Sequence, residues 1–159
     1  MYDALGERQK ALEYYNQALA IHRAVGNRAG EAMTLTGIGA VYNALGERQK
    51  ALEYYNQALP IFRAVGDRAR EATTLNNIGS VYHDLGERQK ALEYYNQALA
   101  IRRAVGDRAG EATTLNNIGG CTTLWASDRR RWSTTTRRWP SIAPSGIERG
   151  RPLCSATLL

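Results

Sequence analysis

At 159 residues, with 43% hydrophobic and 23% charged residues, the chain has the length of one ordinary domain, and its formal charge of +6 would suggest a nucleic-acid binder if that charge were spread evenly. It is not: positions 1–120 hold 14 basic against 13 acidic residues, and positions 121–159 hold 7 against 2, so the basicity belongs to the final stretch. The N-terminus lacks the apolar core of a signal peptide, no apolar run nears the ~18 residues of a membrane span, and both cysteines, Cys121 and Cys154, lie in the basic stretch, which leaves the rest without a disulfide framework or metal-ligand spacing and points to a soluble cytoplasmic chain with no membrane association.

The dominant feature is a repeat. LGERQKALEYYNQAL occurs unchanged at residues 5–19, 45–59 and 85–99, an interval of forty residues. One supersecondary unit has been copied, so length counts units rather than domains. In chain order, residues 1–5 align with residues 41–45 and read as the end of a helix, which Gly6 is expected to break. Glu7 to Ala24 then carries Ala11, Leu12, Tyr15, Ala18, Leu19 and Ile21 at spacings of three and four, an amphipathic helix. Gly26 stands where a helix ends in a left-handed residue, and Asn27 is placed to cap the next; Gly66 with Asp67 and Gly106 with Asp107 repeat this punctuation. A second helix follows over about 28–44, with Ala32, Leu35, Ile38, Gly39, Val41 and Tyr42 on its buried side. Glycine inside a helix costs ~1 kcal/mol relative to alanine, so Gly39, and Gly79 and Gly119 after it, imply a neighbouring helix that needs the space.

These residues carry a resemblance. Leu75, Ile78, Gly79, Tyr82, Gly86, Ala91, Tyr95 and Ala98 match in order and spacing the large and small positions of the tetratricopeptide repeat (TPR). The unit departs from the family in having forty residues rather than the usual thirty-four, and in holding Arg103 where the family has a proline near the end of helix B. In these respects it is similar to the repeats of kinesin light chain, Pins-type adaptors and bacterial multi-TPR proteins. The resemblance implies an all-α fold, an α-solenoid of antiparallel helix pairs wound as a right-handed superhelix, with A helices lining a concave groove. The array occupies 1–120: a partial repeat 1–27, full repeats 28–67 and 68–107, and a partial repeat 108–120. Stacked repeats bury their faces only against neighbours, so both ends are expected to be open, apolar and inclined to self-association.

The groove positions implied by the family pattern are Thr73, Asn76, Asn77, Ser80 and His83, with Thr113, Asn116 and Asn117 in the next unit; Thr36 and Gly37 interrupt the series in the first. Asparagine offers donor and acceptor together, so a ladder of it could hold the backbone of an extended peptide; the alternative is that these residues only solvate a helix face. Met33, Thr73 and Thr113 stand where chaperone-binding repeats place a Lys or Arg for a terminal carboxylate, which argues against such ligands. Nothing suggests catalysis, a cofactor or a metal: His22 and His83 have no motif around them, Glu87 and Glu93 read with Arg88 and Lys90 as a solvated face, and the glycines are terminators and packing positions rather than a phosphate loop. The expected function is a protein-interaction scaffold that takes a peptide or helix of a protein partner. The alternatives are a regulatory or sensor segment of a larger multidomain protein, and a frameshifted fragment without independent function.

Residues 121–159 form a non-repeat basic tail whose composition and Pro140, Pro144 and Pro152 suggest disorder. Trp125, Trp132 and Trp139 lie forty residues after Leu85, Leu92 and Leu99. A fourth copy VYDALGERQKALEYYNQALAI, encoded with ordinary codons and read one nucleotide late, translates as CTTLWASDRRRWSTTTRRWPS, which is residues 121–141. Each tryptophan is then a leucine codon ending in TG followed by a codon starting with G. A single-strand nucleic-acid site, with Arg129, Arg130, Arg131, Arg137 and Arg138 on phosphates and tryptophans stacked on bases, is the competing reading, but the frame shift accounts for every one of these residues without it. Met1 sits in the place of Val41 and Val81, as an internal start codon would put it. We expect the gene, read in all three frames, to show a VYDALGERQ-like peptide in the frame beside codons 121–141; its absence refutes the frame-shift origin.

Overall fold

The computed structural model describes the backbone of residues 2–135 and the side chains of residues 6–122. Among the described residues it contains α1 (Tyr2–Ala24), α2 (Arg28–Ala44), α3 (Arg48–Val65), α4 (Arg68–Asp84), α5 (Arg88–Val105) and α6 (Arg108–Thr135), and no strand. Each helix packs on the next, and the result is the expected α-solenoid, with α2/α3 and α4/α5 as its two complete pairs.

The turns follow from local chemistry. From B helix to A helix, the chain leaves helical geometry at a left-handed glycine such as Gly66 (φ +74°), and the following Asn or Asp caps the next helix: Gly30 N–H donates to Asn27 at 2.9 Å, Arg70 N–H to Asp67 at 3.0 Å and Gly110 N–H to Asp107 at 2.8 Å. That hydrogen bond from the Arg70 backbone is the main reason the Asp67 carboxyl is held below its ordinary pKa. From A helix to B helix the turn passes through Gly46 (φ +81°) and Gly86 (φ +78°). Gly6 is a correction to the sequence reading: α1 runs straight through it from Tyr2, and Gly6 is not among the positive-φ glycines. At Gly46 and Gly86 the preceding A helix packs against the B helix and forces the chain back, and α1 has no such helix before it among the described residues.

The Arg that replaces the family's proline has a structural role. Arg63 Nε donates to Glu71 at 2.8 Å across the turn, and Arg68 pairs with the same carboxylate, whose residue is only 2% exposed. Arg23 and Arg28 hold Glu31 at 3.0 and 2.6 Å, and Arg103 and Arg108 hold Glu111 at 2.8 and 2.9 Å. Hydrogen bonding from Arg103 leads the causes that keep Glu111 below the ordinary carboxylate range.

The core runs along the stack. Leu35, Ile38 and Ala32 of α2 meet Ala58, Ile61 and Phe62 of α3 and Leu19 of α1; Ala72, Leu75, Ile78 and Val81 of α4 meet Tyr55 and Leu52 of α3 and Ala98 and Ile101 of α5. Tyr42 stacks on Tyr54 and Tyr82 on Tyr94 with centroids 5.4 Å apart, each pair carrying a lysine, Lys50 or Lys90, 5.2 Å over its first ring. The third unit departs from the others. Cys121, in the register of Val41 and Val81, is buried against Ala91 and Tyr95, and burial pushes its thiol pKa up. Thr122, in the register of Tyr42 and Tyr82, is exposed, so no tyrosine clasp forms there. The change of composition at Gly120 does not end α6, whose backbone continues to Thr135; no proline occurs between Gly120 and Pro140. The part of the disorder expectation that concerns residues 136–159 lies outside the described residues.

The inference from the interior glycines can be checked directly. A Cβ on Gly39 would lie 2.8 Å from the Tyr55 ring, and one on Gly79 would lie 2.8 Å from the Tyr95 ring and 3.2 Å from the Ala91 carbonyl oxygen. A Cβ on Gly119 meets nothing within 4 Å. We expect Gly79→Ala to destabilise the array by about 1–3 kcal/mol through overpacking, and Gly119→Ala to stabilise it by about 0.5–1 kcal/mol through helix propensity. Urea unfolding followed by circular dichroism at low protein concentration measures both; equal effects would contradict the packing described.

Candidate functional site

The stack bends toward one set of helices. The backbone of α2 approaches that of α4, and α4 that of α6, whereas the backbones of α1, α3 and α5 stay farther apart. The A helices therefore form the inner wall, and the stripe of α4 that starts at Thr73 and passes Asn76, Asn77 and Ser80 to His83 repeats every three or four residues along it.

The predicted residues divide by what they touch. Asn76 and Asn117 are brought together: Asn117 Nδ2 donates to Asn76 Oδ1 at 3.1 Å, joining α4 to α6. Thr114 Oγ1 lies 3.4 Å from the same oxygen. Ser80 is half-buried on α4. Thr73 and Thr113 are exposed, and their hydroxyls donate back to the Ala69 and Ala109 carbonyls at 3.1 and 3.0 Å. His83 Nδ1 lies 3.7 Å from Asp84 near the end of α4, away from the middle of the groove. Asn77 is half-buried and Asn116 exposed, and neither side-chain amide hydrogen-bonds another described residue.

Two features escaped the sequence reading. Arg102 of α5 is 6% exposed and donates to the Gly110 carbonyl and, at 2.8 Å, to Thr114 Oγ1, with Asp107 3.8 Å from its Nε. It extends the Asn117–Asn76–Thr114 contact into a polar network linking α4, α5 and α6. The signal was present in the repeat: position 102 corresponds to Phe62 and His22, and position 110 to Arg70 and Gly30. Where the B helix has His or Arg the A helix has Gly, because a Cβ on Gly30 would collide with the His22 ring and one on Gly110 would meet Arg102 Nε at 2.8 Å. The second feature is a cavity of about 600 Å³ at the first unit, lined by Tyr15, His22, Met33, Thr34 and Arg70 among others. Met33 is 48% exposed there, and Tyr15 rests on Gly37, so that the position that interrupts the Asn series makes room for an aromatic wall. Among the described residues no group of three metal-ligating side chains assembles, and no helix is long and apolar enough to cross a membrane.

Residues 1–64 and 70–126 match the tetratricopeptide repeat family. No curated protein matches the chain. Among solved structures it is similar to BtubC (BKLC) from P. vanneervenii, with a TM-score of 0.69 at 24% identity over 92% of this chain and 65% of that one. It is similar to a STAND signal-transduction ATPase with a tetratricopeptide repeat sensor from Pyrococcus horikoshii, with a TM-score of 0.68 at 21% identity over 82% of this chain and 22% of that one. A putative kinesin light chain with nearly identical TPR-like repeats from Podosopora anserina gives 0.57 at 19% identity, over 86% and 72%. The chain thus spans less than two thirds of the first two.

The inner wall rests on Tyr55 and Tyr95, whose phenol pKa values are pushed up to about 12 from 10.0, chiefly by burial. The folded state keeps protons that the unfolded chain releases above pH 10, so this contribution is intact below pH 10 and lost as pH rises toward 12. We expect the urea midpoint to fall across that window, and Tyr95→Phe to flatten the fall. A midpoint that falls as steeply in Tyr95→Phe as in the unchanged chain would refute it.

Proposed function

Since the chain belongs to the tetratricopeptide repeat family, we propose that it is an interaction scaffold that holds a peptide or helix of a protein partner against its A helices. The observation that carries this reading is the division of the inner-wall side chains: Asn76 and Asn117 are occupied in tying α4 to α6, while Asn77 and Asn116 present amides with no partner among the described residues. An unpartnered primary amide can donate to one peptide carbonyl and accept from one N–H, which reads an extended backbone with little dependence on its sequence. The cavity beside Tyr15, Met33 and Arg70 adds a region where apolar and cationic groups meet, suited to a partner residue with an apolar stem. The family fold is generally a non-catalytic scaffold, and the groove described here supplies hydrogen bonds and contact area rather than a nucleophile and base.

A second reading is that the array is the sensor part of a longer protein. The likeness to a STAND ATPase with a repeat sensor, only 22% of which this chain spans, favours it. An out-of-frame origin of residues 121–159 would fit that reading, since it would separate the array from a following domain.

Peptides selected by display on the immobilised 159-residue chain provide the probe. We expect Asn77→Ala and Asn116→Ala each to weaken a selected peptide by about threefold to tenfold, the worth of one exposed hydrogen bond, in fluorescence anisotropy. Gln57→Ala and Gln97→Ala, on exposed positions of α3 and α5, should leave binding unchanged. Loss through the Gln variants with the Asn variants unaffected would move the site to the outer face and end this reading.

A further inference from the structure

The two ends of the array carry the two halves of one interface. Residues 111–119 of α6, EATTLNNIG, repeat residues 71–79 of α4 letter for letter, and residues 5–19 of α1 repeat residues 85–99 of α5. Within the chain these stretches are partners. Ala72, Leu75 and Ile78 of α4 are fully buried in the contact with α5, and the Tyr95 ring fits over the bare backbone at Gly79.

At the ends the same surfaces are open. Leu115 is 43% exposed where Leu75 is 0%, Ala112 is exposed where Ala72 is buried, and Gly119 faces nothing within 4 Å. On α1, Tyr15 is 37% exposed against 3% for Tyr95, and Ile21 61% against 8% for Ile101. Beside α6 a cavity of about 1010 Å³ opens between the start of α5 and Cys121, and it includes Leu92. In the preceding unit the equivalent Leu52 is 4% exposed, packed in the cluster that Tyr94 of the next B helix borders.

We propose that this chain associates head to tail, α1 of one copy docking on α6 of the next, with Tyr15 seated over Gly119. The α4/α5 contact is the template: the same residues in the same order meet, so shape and charge are already compatible, and Glu7, Arg8 and Lys10 arrive where α5 carries Glu87, Arg88 and Lys90. Tyr15 turns from Gly37 into the Gly119 notch, and Tyr14, 70% exposed, comes to lie beside Leu92 as Tyr94 borders the cluster that holds Leu52. The tyrosine clasp is missing from this junction because Thr122 stands in the register of Tyr82, so it is weaker than the internal ones. The two faces differ from each other, and a contact between unlike faces leaves one of each open after every addition, which builds an open series rather than a closed dimer.

The test uses the full chain in sedimentation equilibrium. Wild type should show a weight-average mass that rises with concentration past that of two copies. Gly119→Leu fills a notch that is empty in the single chain, so helicity and monomer stability should hold while association weakens by at least about tenfold. Tyr15→Glu should do the same from the other end. An equimolar mixture of the two variants should form a capped pair, because each supplies the face the other lacks. A wild type that stays monomeric at every concentration reached, a mass that levels off at two copies, association of Gly119→Leu equal to wild type, or a mixture that does not pair would each overturn the proposal.

Discussion

Everything in this array depends on a close approach: the ring of a B-helix tyrosine against the backbone of an A helix where the A helix has no side chain. Tyr55 over Gly39 and Tyr95 over Gly79 set how near the helices lie, and with that which other residues can touch. The cost of glycine in a helix interior, about 1 kcal/mol, is small beside the burial of an aromatic side chain of 150–250 Å². The alanines that flank the notch, Ala51, Ala58, Ala91 and Ala98, are each 0% exposed, because at this separation nothing larger fits. Large residues then fill the space left on either side, with Leu35, Ile38, Leu75 and Ile78 at the centre. The pattern of small and large positions is a consequence of one distance.

A second constraint sets the angle between units. The B-to-A turn must be short and rigid, and here the rigidity comes from a glutamate in the first turn of each A helix, buried at Glu31 and Glu71, rather than from proline. Glu71 is reached by one arginine from before the turn and one from after it, so the carboxylate fastens the end of α3 to the start of α4. Burying a carboxylate without partners costs several kcal/mol, and charge-assisted hydrogen bonds from two guanidinium groups offset that cost while fixing geometry. The arginines themselves stay half in solvent, 50% and 54% exposed at Arg63 and Arg68, which keeps their own desolvation small. The same triad closes all three B-to-A turns among the described residues.

Much of this was legible in the sequence because the repeat is nearly exact. Helix limits followed from the glycines and caps, the B helices α3 and α5 end at Gly66 and Gly106 as the punctuation implied, and the interior glycines pointed to the close approach. Gly6 misled because the residue alone does not make a turn: Gly46 and Gly86 turn the chain where an A helix has packed against the B helix, and no such helix precedes α1 among the described residues. The groove was legible as a stripe of positions but not as chemistry. That Asn76 and Asn117 would bond each other, while Asn77 and Asn116 would not, depends on the distance between α4 and α6, which no periodicity within one helix encodes. The Arg–Glu–Arg closure had a visible clue in the departure from proline, yet its partner lies eight residues on, beyond a turn, and reads as surface charge until the turn is built.

Near-identity of the units makes the few differences informative. His22, Phe62 and Arg102 occupy one position, at the seam between a B helix and the following A helix. Phe62 closes its seam with an apolar side chain 1% exposed, and α4 there can carry Arg70. Arg102 closes its seam with a cation, and that cation reaches Thr114 and through it Asn76 and Asn117. A buried charge is tolerated only where its hydrogen bonds are supplied, so the glycine at 110, whose carbonyl Arg102 reaches, and the threonine at 114 are conditions for the arginine rather than independent features. The network reaches the inner wall: the Asn76 oxygen that Thr114 approaches also accepts from Asn117, so the α5 seam and the contact between α4 and α6 share one set of polar groups.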